Sequence, residues 1–221
     1  MIEITHAYKT FTGPVHALRN LDLRVNESEF LFVSGPSGAG KTTLFKVLSG
    51  VEKVTSGKVM VAGFDLQKLN SNRVHEFRRE IGIVFQDFKL VPDLTALENI
   101  TLPLKIRGDS KKSCQELGEF WLEKLGLIDK INCRPEILSG GEQQRLAIAR
   151  ALIHKPKVIL ADEPTGNLDP EKSEEIITLL ENSATEGTSV LVITHDLEMV
   201  RRRKKRVIAI KNGEIVKDGR A

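Results

Sequence analysis

A glycine-rich segment with one lysine and two threonines is the part of the sequence best suited to chemistry. Residues 35–43 read GPSGAGKTT and fit the pattern G-x-x-x-x-G-K-[ST]. Glycines let backbone N–H groups face phosphate oxygens, the lysine adds positive charge, and the adjacent hydroxyl can bind Mg²⁺. An apolar run at 30–34 precedes this segment and a helical pattern at 42–50 follows it, so the sequence predicts a nucleotide-binding loop. Its predicted ligand-binding residues are Gly35, Pro36, Ser37, Gly38, Ala39, Gly40, Lys41, Thr42 and Thr43.

Two carboxylates, Asp162 and Glu163, follow the apolar run at 158–161. Ligands of α/β sheets bind at the carboxyl ends of the strands, where these two side chains are predicted to lie. Asp162 then suits Mg²⁺, and Glu163 is placed to polarise an attacking water. The structural alternative is a pair of acids that solvates a strand end, and the nearby phosphate loop makes it the weaker interpretation.

Gln86 and His195 each come at the end of another strand-like run, at 81–86 and 190–194. A lone glutamine or histidine in such a position is usually structural. Because parallel strands present their carboxyl ends at one edge, both residues become candidates for the same site as Asp162 and Glu163.

A second helix start has the features of an anion-binding site. Ser139 and Glu142 form the S-x-x-E pattern of a capping box, and the ordinary interpretation is a well-capped helix. Gly140 and Gly141 lower helix propensity, which capping does not require. Exposed N–H groups beside a serine hydroxyl would bind a phosphate, so we predict that Ser139, Gly140 and Gly141 do so.

The remaining patterns predict the elements that position these groups. Short β-branched runs that alternate with helical patterns indicate a parallel sheet covered on both faces. Alternating segments at 2–8, 21–25 and 58–62 predict antiparallel strands, and Asn212-Gly213 predicts a hairpin at 207–216. Between 87 and 137 the strand pattern gives way to helical spacing. The fold class is therefore α/β, a P-loop NTPase with an antiparallel β subdomain and an inserted helical lobe.

Composition sets limits on other functions. The 221 residues are 40% hydrophobic and 29% charged, which is typical of one folded domain and excludes a disordered chain. No apolar run is long enough to cross a bilayer. A net charge of +3 gives no argument for nucleic acid, and none is expected as a specific partner. Cys114 and Cys133 are too few for a disulfide framework.

These motifs, in this order, resemble those of ATP-binding cassette (ABC) ATPases. The resemblance rests on the loop at 35–43, Gln86, LSGGEQQR from 138, LADEP at 160–164, NLD at 167–169 and His195. It covers the whole chain as a single domain, with a RecA-like core and β subdomain at 1–86 and 138–221 and a helical subdomain at 87–137. The cofactors that it implies are ATP and Mg²⁺, with Thr42, Gln86 and Asp162 as metal-binding residues.

The resemblance also implies roles that spacing alone cannot give. Two copies of the chain would form a head-to-tail homodimer with ATP, in which Ser139, Gly140 and Gly141 of one copy bind the nucleotide of the other. Asp169 would cross that interface, although Asp169-Pro170 also fits a helix start. Glu163, His195 and Gln86 would be catalytic. Tyr8 would stack on adenine, with Phe11 as the competing candidate. Glu142 departs from the commoner LSGGQ form.

Within the family, the chain looks most like ATPase subunits that act with an integral membrane protein in bacterial cell division. Such a subunit would be peripheral, at the cytoplasmic face of the inner membrane, with its partner docked near Gln86 and the helical lobe. The alternative branches are lipoprotein-releasing and efflux transporters. The basic run at 201–206 is left with three interpretations: a solvated helix end, a lipid contact or a nucleic-acid contact.

Overall fold

The computed structural model describes residues 1–13, 15–166 and 168–220. Its helices and strands alternate in the order expected for an α/β protein. The strands are β1 (Ile2–Thr10), β2 (His16–Val25), β3 (Phe30–Ser34), β4 (Ser56–Val61), β5 (Phe64–Asp65), β6 (Ile81–Val84), β7 (Val158–Asp162), β8 (Ser189–Ile193), β9 (Arg206–Lys211) and β10 (Glu214–Arg220). The helices are α1 (Lys41–Leu48), α2 (Val74–Glu80), α3 (Ala96–Arg107), α4 (Lys111–Lys124), α5 (Gly140–Leu152), α6 (Pro170–Thr185) and α7 (Leu197–Arg203), with single 3-10 turns at Ile128–Lys130 and Pro135–Ile137.

The larger sheet has the strand order β10-β9-β3-β8-β7-β6, and all its pairs except β10–β9 are parallel. Every residue of β3 and β8 is buried, as the continuous apolar runs predicted. Helix α1 and the strands β1, β2 and β4 cover one face of the sheet, and α5, α6 and α7 cover the other. In register, Ile193 lies beside both Val33 and Asp162, and Val84 lies beside Ala161. The loops that follow four parallel strands therefore leave the sheet at one edge.

The smaller sheet is antiparallel, with the order β2-β1-β4-β5, and confirms the predicted β subdomain. Its second strand begins at His16, five residues before the predicted start at 21. The register between β1 and β2 shifts near Ala7, Lys9 and Thr10. Such bulges interrupt the two-residue alternation of buried and exposed side chains, which is why the sequence pattern missed this part of the strand.

The region at 87–137 forms the predicted helical lobe, built mainly from α3 and α4. Thr95 caps α3 with a complete capping box, and Gly108 ends the helix in the left-handed conformation. The apolar cluster of the lobe includes Ile100, Leu104 and Leu122, but also residues of α5 such as Leu146. Helix α5 thus packs in the core and in the lobe. The domain boundary at 137 stays a prediction.

The hairpin at the end of the chain turns at Asn212-Gly213, as predicted, and both residues have positive φ. This turn contacts the phosphate loop. The Gly213 N–H donates to the carbonyl of Ala39 at 2.9 Å, and the Gly213 carbonyl accepts from the N–H of Arg19 at 2.9 Å. The hairpin therefore joins the phosphate loop to β2.

The basic run at 201–206 is largely used within the fold. Arg202 and Arg203 pair with Glu174 of α6, and Arg203 also pairs with Glu181. Arg206 binds Asp218 at 2.6 Å at the start of the hairpin. Because these cations are paired within the fold, the interpretation of the run as a helix end fits better than a contact surface for lipid or nucleic acid.

Candidate nucleotide-binding site

The edge where the parallel strands end is the place where several of the predicted site residues meet. The loop after β3, the residue after β7 and the segment after β8 line one cavity of about 650 Å³. Among its lining residues are Gly35, Pro36, Ser37, Lys41, Glu163 and His195.

Close packing explains the glycines of the phosphate loop. A Cβ on Gly35 would lie 2.2 Å from the carbonyl oxygen of Ile210, and a Cβ on Gly40 would lie 2.4 Å from that of Ala17. Gly40 also has a φ of 109°, which side chains disfavour. The loop can therefore approach β2 and β9 this closely only with glycine at both positions.

Positive charge is concentrated at the start of α1. The Lys41 ammonium donates to the carbonyl oxygens of Gly35 at 2.7 Å and Pro36 at 3.0 Å, which holds it over the loop. Gly40 supplies no side-chain cap, and among the described residues of the first turn none is acidic. The first N–H groups of α1 and its partial positive charge are therefore not offset by a carboxylate, which suits a phosphate ligand.

Glu163 and His195, 32 residues apart in sequence, are in direct contact. The Glu163 Oε1 lies 2.8 Å from His195 Nδ1, and the carboxylate also accepts from the His195 N–H at 3.4 Å. Glu163 has a φ of 46° and donates its own N–H to Ile193 at 2.9 Å. A left-handed glutamate carries a steric cost of about 1–2 kcal/mol, and such strain is concentrated at functional sites. Both residues were predicted at this edge, but no pattern in the sequence signals their contact.

The residues predicted for Mg²⁺ provide suitable donors. Burial raises the pKa of the Asp162 carboxyl, the charge of Glu163 raises it further, and Lys41 opposes the change. A buried pair of carboxylates is stabilised by a cation, and hydroxyl, amide and carboxylate oxygens are the ligands that Mg²⁺ prefers. Within the described ranges, no group of three or more His, Cys, Asp or Glu side chains is placed to hold a metal. Thr42 and Gln86 stay the further predicted ligands.

Gln86 lies beside the loop that follows β7. Its strand ends at Val84, two residues earlier than the predicted run, and Gln86 itself is exposed. A Cβ on Gly166 would lie 3.3 Å from Gln86 Nε2. The amide thus reaches the segment that carries Glu163, as the shared sheet edge predicted.

The two aromatic candidates for adenine, Tyr8 and Phe11, are exposed to similar extents, 39% and 38%. Ala7 is buried in the apolar cluster that contains the inward side of α1, so Tyr8, the next residue of β1, points to the opposite face. The Lys9 ammonium lies 4.8 Å from the centre of the Phe11 ring. The same ammonium pairs with Glu52, in the segment after α1. The Phe11 ring therefore lies beside the segment that follows α1. The choice between the two rings stays a prediction, and we expect Phe11 rather than Tyr8 to contact adenine.

The second helix start is a capped helix, as its sequence pattern predicted. Ser139 caps α5: its hydroxyl accepts from the Glu142 N–H at 3.4 Å, and Glu142 accepts from the Ser139 N–H at 2.8 Å. Ser139 and Gly140 are exposed, whereas Gly141 is buried. A Cβ on Gly141 would lie 2.7 Å from Lys172 Cδ. The Lys172 side chain therefore covers Gly141, but a flexible lysine could move aside, so this approach does not by itself require glycine there.

Glu142 is fixed by an ion pair that the sequence did not predict. Its carboxylate accepts from the ammonium of Lys130, which lies in the 3-10 turn after α4. The Lys130 ammonium, with additional hydrogen bonds from Ser139, lowers the pKa of Glu142 to about 2. The first turn of α5 therefore has an ionised carboxylate with a cation beside it.

Asp169 has the structural role that its sequence context predicted. It caps α6 by accepting from the Lys172 N–H at 2.9 Å, and it pairs with the Lys172 ammonium at 2.6 Å. Because Lys172 also covers Gly141, Asp169 is linked to the start of α5. Asn167, the first residue of the NLD motif, lies outside the described residues.

Gln144 is a further residue of this site that sequence reasoning missed. It is buried, and its amide donates to the carbonyl of Pro164 at 2.7 Å. Pro164 directly follows Glu163, so α5 is tied to the acidic strand end. A glutamine within a helical pattern is usually a surface residue, and the sequence gave no signal for this contact.

Comparison with known proteins agrees with this geometry. A family profile described as ABC transporter matches residues 18–166. The chain is 43% identical over 218 residues to the cell division ATP-binding protein FtsE of Streptococcus pneumoniae strain D39, which covers 99% of this chain and 95% of that protein. It is 42% identical over 222 residues to the glutamine transport ATP-binding protein GlnQ of Escherichia coli K12, covering 99% and 91%.

A solved structure has the same fold. The dimeric ATP-binding cassette MJ0796, in a post-hydrolysis state bound to ADP and Pi, superposes with a TM-score of 0.90 at 37% identity and covers 100% of this chain and 98% of that chain. The chain therefore belongs to the ABC transporter family and is an ATPase that takes ATP with Mg²⁺. No helix within the described ranges has the length and apolar character needed to cross a membrane.

The Lys130–Glu142 pair predicts a pH-dependent stability. Glu142 has a pKa of about 2 in the folded chain and an ordinary value of 4.5, so its contribution is complete above 4.5 and is lost as the pH falls towards 2. Glu142→Gln should lower the free energy of unfolding at pH 7 by about 1–2 kcal/mol and by less at pH 3. Urea unfolding at both pH values measures this, with Glu136→Gln as the matched control. A loss that does not depend on pH would contradict the assignment.

The choice between the two aromatics gives a second prediction. Removing a ring that stacks on a base costs about 1–3 kcal/mol. Phe11→Ala should therefore weaken ATP binding at least fivefold, whereas Tyr8→Ala should change it less than twofold. Calorimetric titration with ATP separates them, and the opposite ranking would restore Tyr8 as the stacking residue.

Proposed function

We propose that the chain is an FtsE-like ATPase subunit that acts on an FtsX-like integral membrane protein in bacterial cell division. ATP-driven closure of a homodimer would bend the membrane partner, which in turn would activate cell-wall hydrolases. The observation that carries this proposal is 43% identity to a relative named FtsE, over nearly the full length of both chains. The subunit would be peripheral, at the cytoplasmic face of the inner membrane.

The arrangement of the two helix starts supports the dimer. Ser139 and Gly140 are exposed at the start of α5, and the phosphate loop opens to the cavity at the strand ends. Helix starts bind anions through their free N–H groups. Ser139, Gly140 and Gly141 of one copy would face the nucleotide of the other, and Asp169 would lie at the contact between copies. The related cassette MJ0796 is dimeric, which supports a dimer of this chain.

The roles within the site follow from positions and charges. Residues 35–43 would bind the phosphates, while Thr42, Gln86 and Asp162 would hold Mg²⁺, which offsets phosphate charge when bound. Glu163 would orient the attacking water, with its carboxylate held by His195 at 2.8 Å. His195 and Gln86 would complete the catalytic set. Phe11, rather than Tyr8, would contact adenine.

A cavity of about 360 Å³ between the core and the lobe is the proposed docking site of the membrane partner. It lies among α2, β6, α3 and α5, and its lining combines apolar side chains such as Leu102 and Ile106 with cations. The cations are Arg78, Arg79, Arg107 and Arg150. A cytoplasmic helix with an apolar face and acidic neighbours would complement this lining.

Transport is the second candidate function. The glutamine transport relative is 42% identical, which is close to the value for FtsE, and lipoprotein-releasing and efflux subunits would use the same nucleotide site. The membrane partner decides between them. Affinity capture of the tagged chain from its own membranes, followed by mass spectrometry, should recover an FtsX-like protein. Recovery of an amino-acid, lipoprotein or efflux permease instead would overturn the division role and leave the ATPase intact.

The dimer proposal predicts the behaviour of Glu163→Gln. The substitution keeps the size of the side chain but removes the carboxylate that orients water, so ATP should still bind while turnover falls at least a hundredfold. ATP-bound dimers should then accumulate. Light scattering with gel filtration measures them at saturating ATP and Mg²⁺, with ADP as the control. Monomers under both conditions would contradict the dimer.

The docking proposal predicts that reversing a charge at the cavity prevents capture of the partner. Arg79 lines the cavity and is exposed, so Arg79→Glu should lower recovery of the membrane protein at least fivefold by repelling an acidic segment. The matched control is Lys112→Glu, at an exposed position on α4 away from the cavity. Equal recovery with both variants would exclude this cavity.

A further inference from the structure

Two consecutive residues after Gln86 are held in an unfavourable backbone conformation. Phe88 has a φ of 61° and Lys89 a φ of 48°, both in the left-handed region. Neither is glycine, and side chains make this region sterically costly. A segment with two such residues keeps this shape only when its surroundings fix it.

The guanidinium of Arg150 on α5 binds the carbonyl groups of this segment. Its two terminal nitrogens donate to the carbonyl oxygens of Phe88 at 2.8 Å and Lys89 at 2.7 Å. Burial lowers the pKa of Arg150, but a guanidinium stays charged in proteins. The two carbonyl oxygens replace water around the partly buried guanidinium. Loss of the contact would leave the cation and both carbonyls without these hydrogen bonds.

The segment that Arg150 holds, residues 88 and 89, lies close to three functional features. Gln86 is two residues before it, at the loop that carries Glu163. The Phe88 ring lies 4.0 Å from the position of a Cβ on Gly140, at the start of α5. Arg150 also lines the cavity of about 360 Å³ between core and lobe. The Arg150 side chain therefore lines the cavity and also contacts residues 88 and 89, which follow Gln86 and approach Gly140.

We propose that Arg150 is a positioning residue that locks residues 88 and 89 and thereby fixes Gln86 relative to Ser139 and Gly140. A helix docked in the cavity acts on both halves of the nucleotide site through this one clamp. The second statement rests on the proposed docking function, whereas the first concerns the isolated chain. The two can therefore fail separately.

The first test measures the clamp in the purified chain by amide hydrogen exchange. Arg150→Lys keeps the charge, but an ammonium cannot make the planar two-nitrogen contact. Exchange at residues 88–91 should become about tenfold faster, and exchange in β3 and β8 should stay unchanged. The control is Arg206→Lys, which likewise removes a two-nitrogen guanidinium contact, in this case with the Asp218 carboxylate in the terminal hairpin. Unchanged exchange at 88–91 in Arg150→Lys would overturn the proposal.

The second test measures the consequence for the site. In the Glu163→Gln background, which needs no turnover, Arg150→Lys should weaken ATP-driven dimerisation about tenfold, while Arg206→Lys should not. The affinity for ATP should stay within twofold of the parent, because the phosphate loop is untouched. Loss of ATP affinity, or an equal loss in both variants, would show a merely structural role. If the parent forms no dimer with ATP, the proposed function fails, and hydrogen exchange still tests the clamp.

A rescue variant separates positioning from stability. Glycine adopts the left-handed conformation without the steric cost of a side chain, so Lys89→Gly makes the clamped shape easier to reach. Added to Arg150→Lys, it should restore dimerisation at least threefold. Lys89→Gly alone should have little effect, since its ion pair with Asp87 is exposed. Failure of the double variant to recover would contradict the role of residues 88 and 89.

Discussion

The register of the parallel sheet is the constraint on which the whole site depends. Because β3, β6, β7 and β8 run in parallel and in register, the segments that follow them leave at one edge, and side chains far apart in sequence meet there. The glycines of the phosphate loop extend this constraint, since β2 and β9 come too close for any Cβ at residues 35 and 40. Backbone packing therefore determines where the site lies.

Helix α5 is tied to this edge by contacts along its whole length, from Gly141 in its first turn to Arg150 in its last. Gln144 reaches the carbonyl of Pro164, Lys172 covers Gly141 and pairs with Asp169, and Arg150 holds residues 88 and 89. Each contact joins a helix that packs in both core and lobe to a loop of the nucleotide edge. Under the docking proposal, a movement of the lobe would reach the catalytic loops through these contacts as well as through the apolar packing of α5.

The sequence predicted the parts of this structure that local rules determine. The buried strands, the capped helix starts at Ser139 and Asp169, and the hairpin at Asn212-Gly213 were all readable, because each depends on a few neighbouring residues. The early part of β2 was not, since bulges broke its alternation. Contacts such as Glu163 with His195, or Lys130 with Glu142, join segments distant in sequence, and no periodicity encodes them. The burial of Gly141 under Lys172 belongs to the same class.

The central claim is that the phosphate loop of one copy of the chain and the start of α5 at Ser139 of another copy enclose the same ATP. Disulfide crosslinking tests it in a chain with Glu163→Gln, Cys114→Ser and Cys133→Ser, where one population carries Ser37→Cys and the other Ser139→Cys. We expect a crosslinked dimer only when both populations are mixed with ATP and Mg²⁺, and not with ADP. No crosslink with ATP, or an equal yield without nucleotide, would contradict the account.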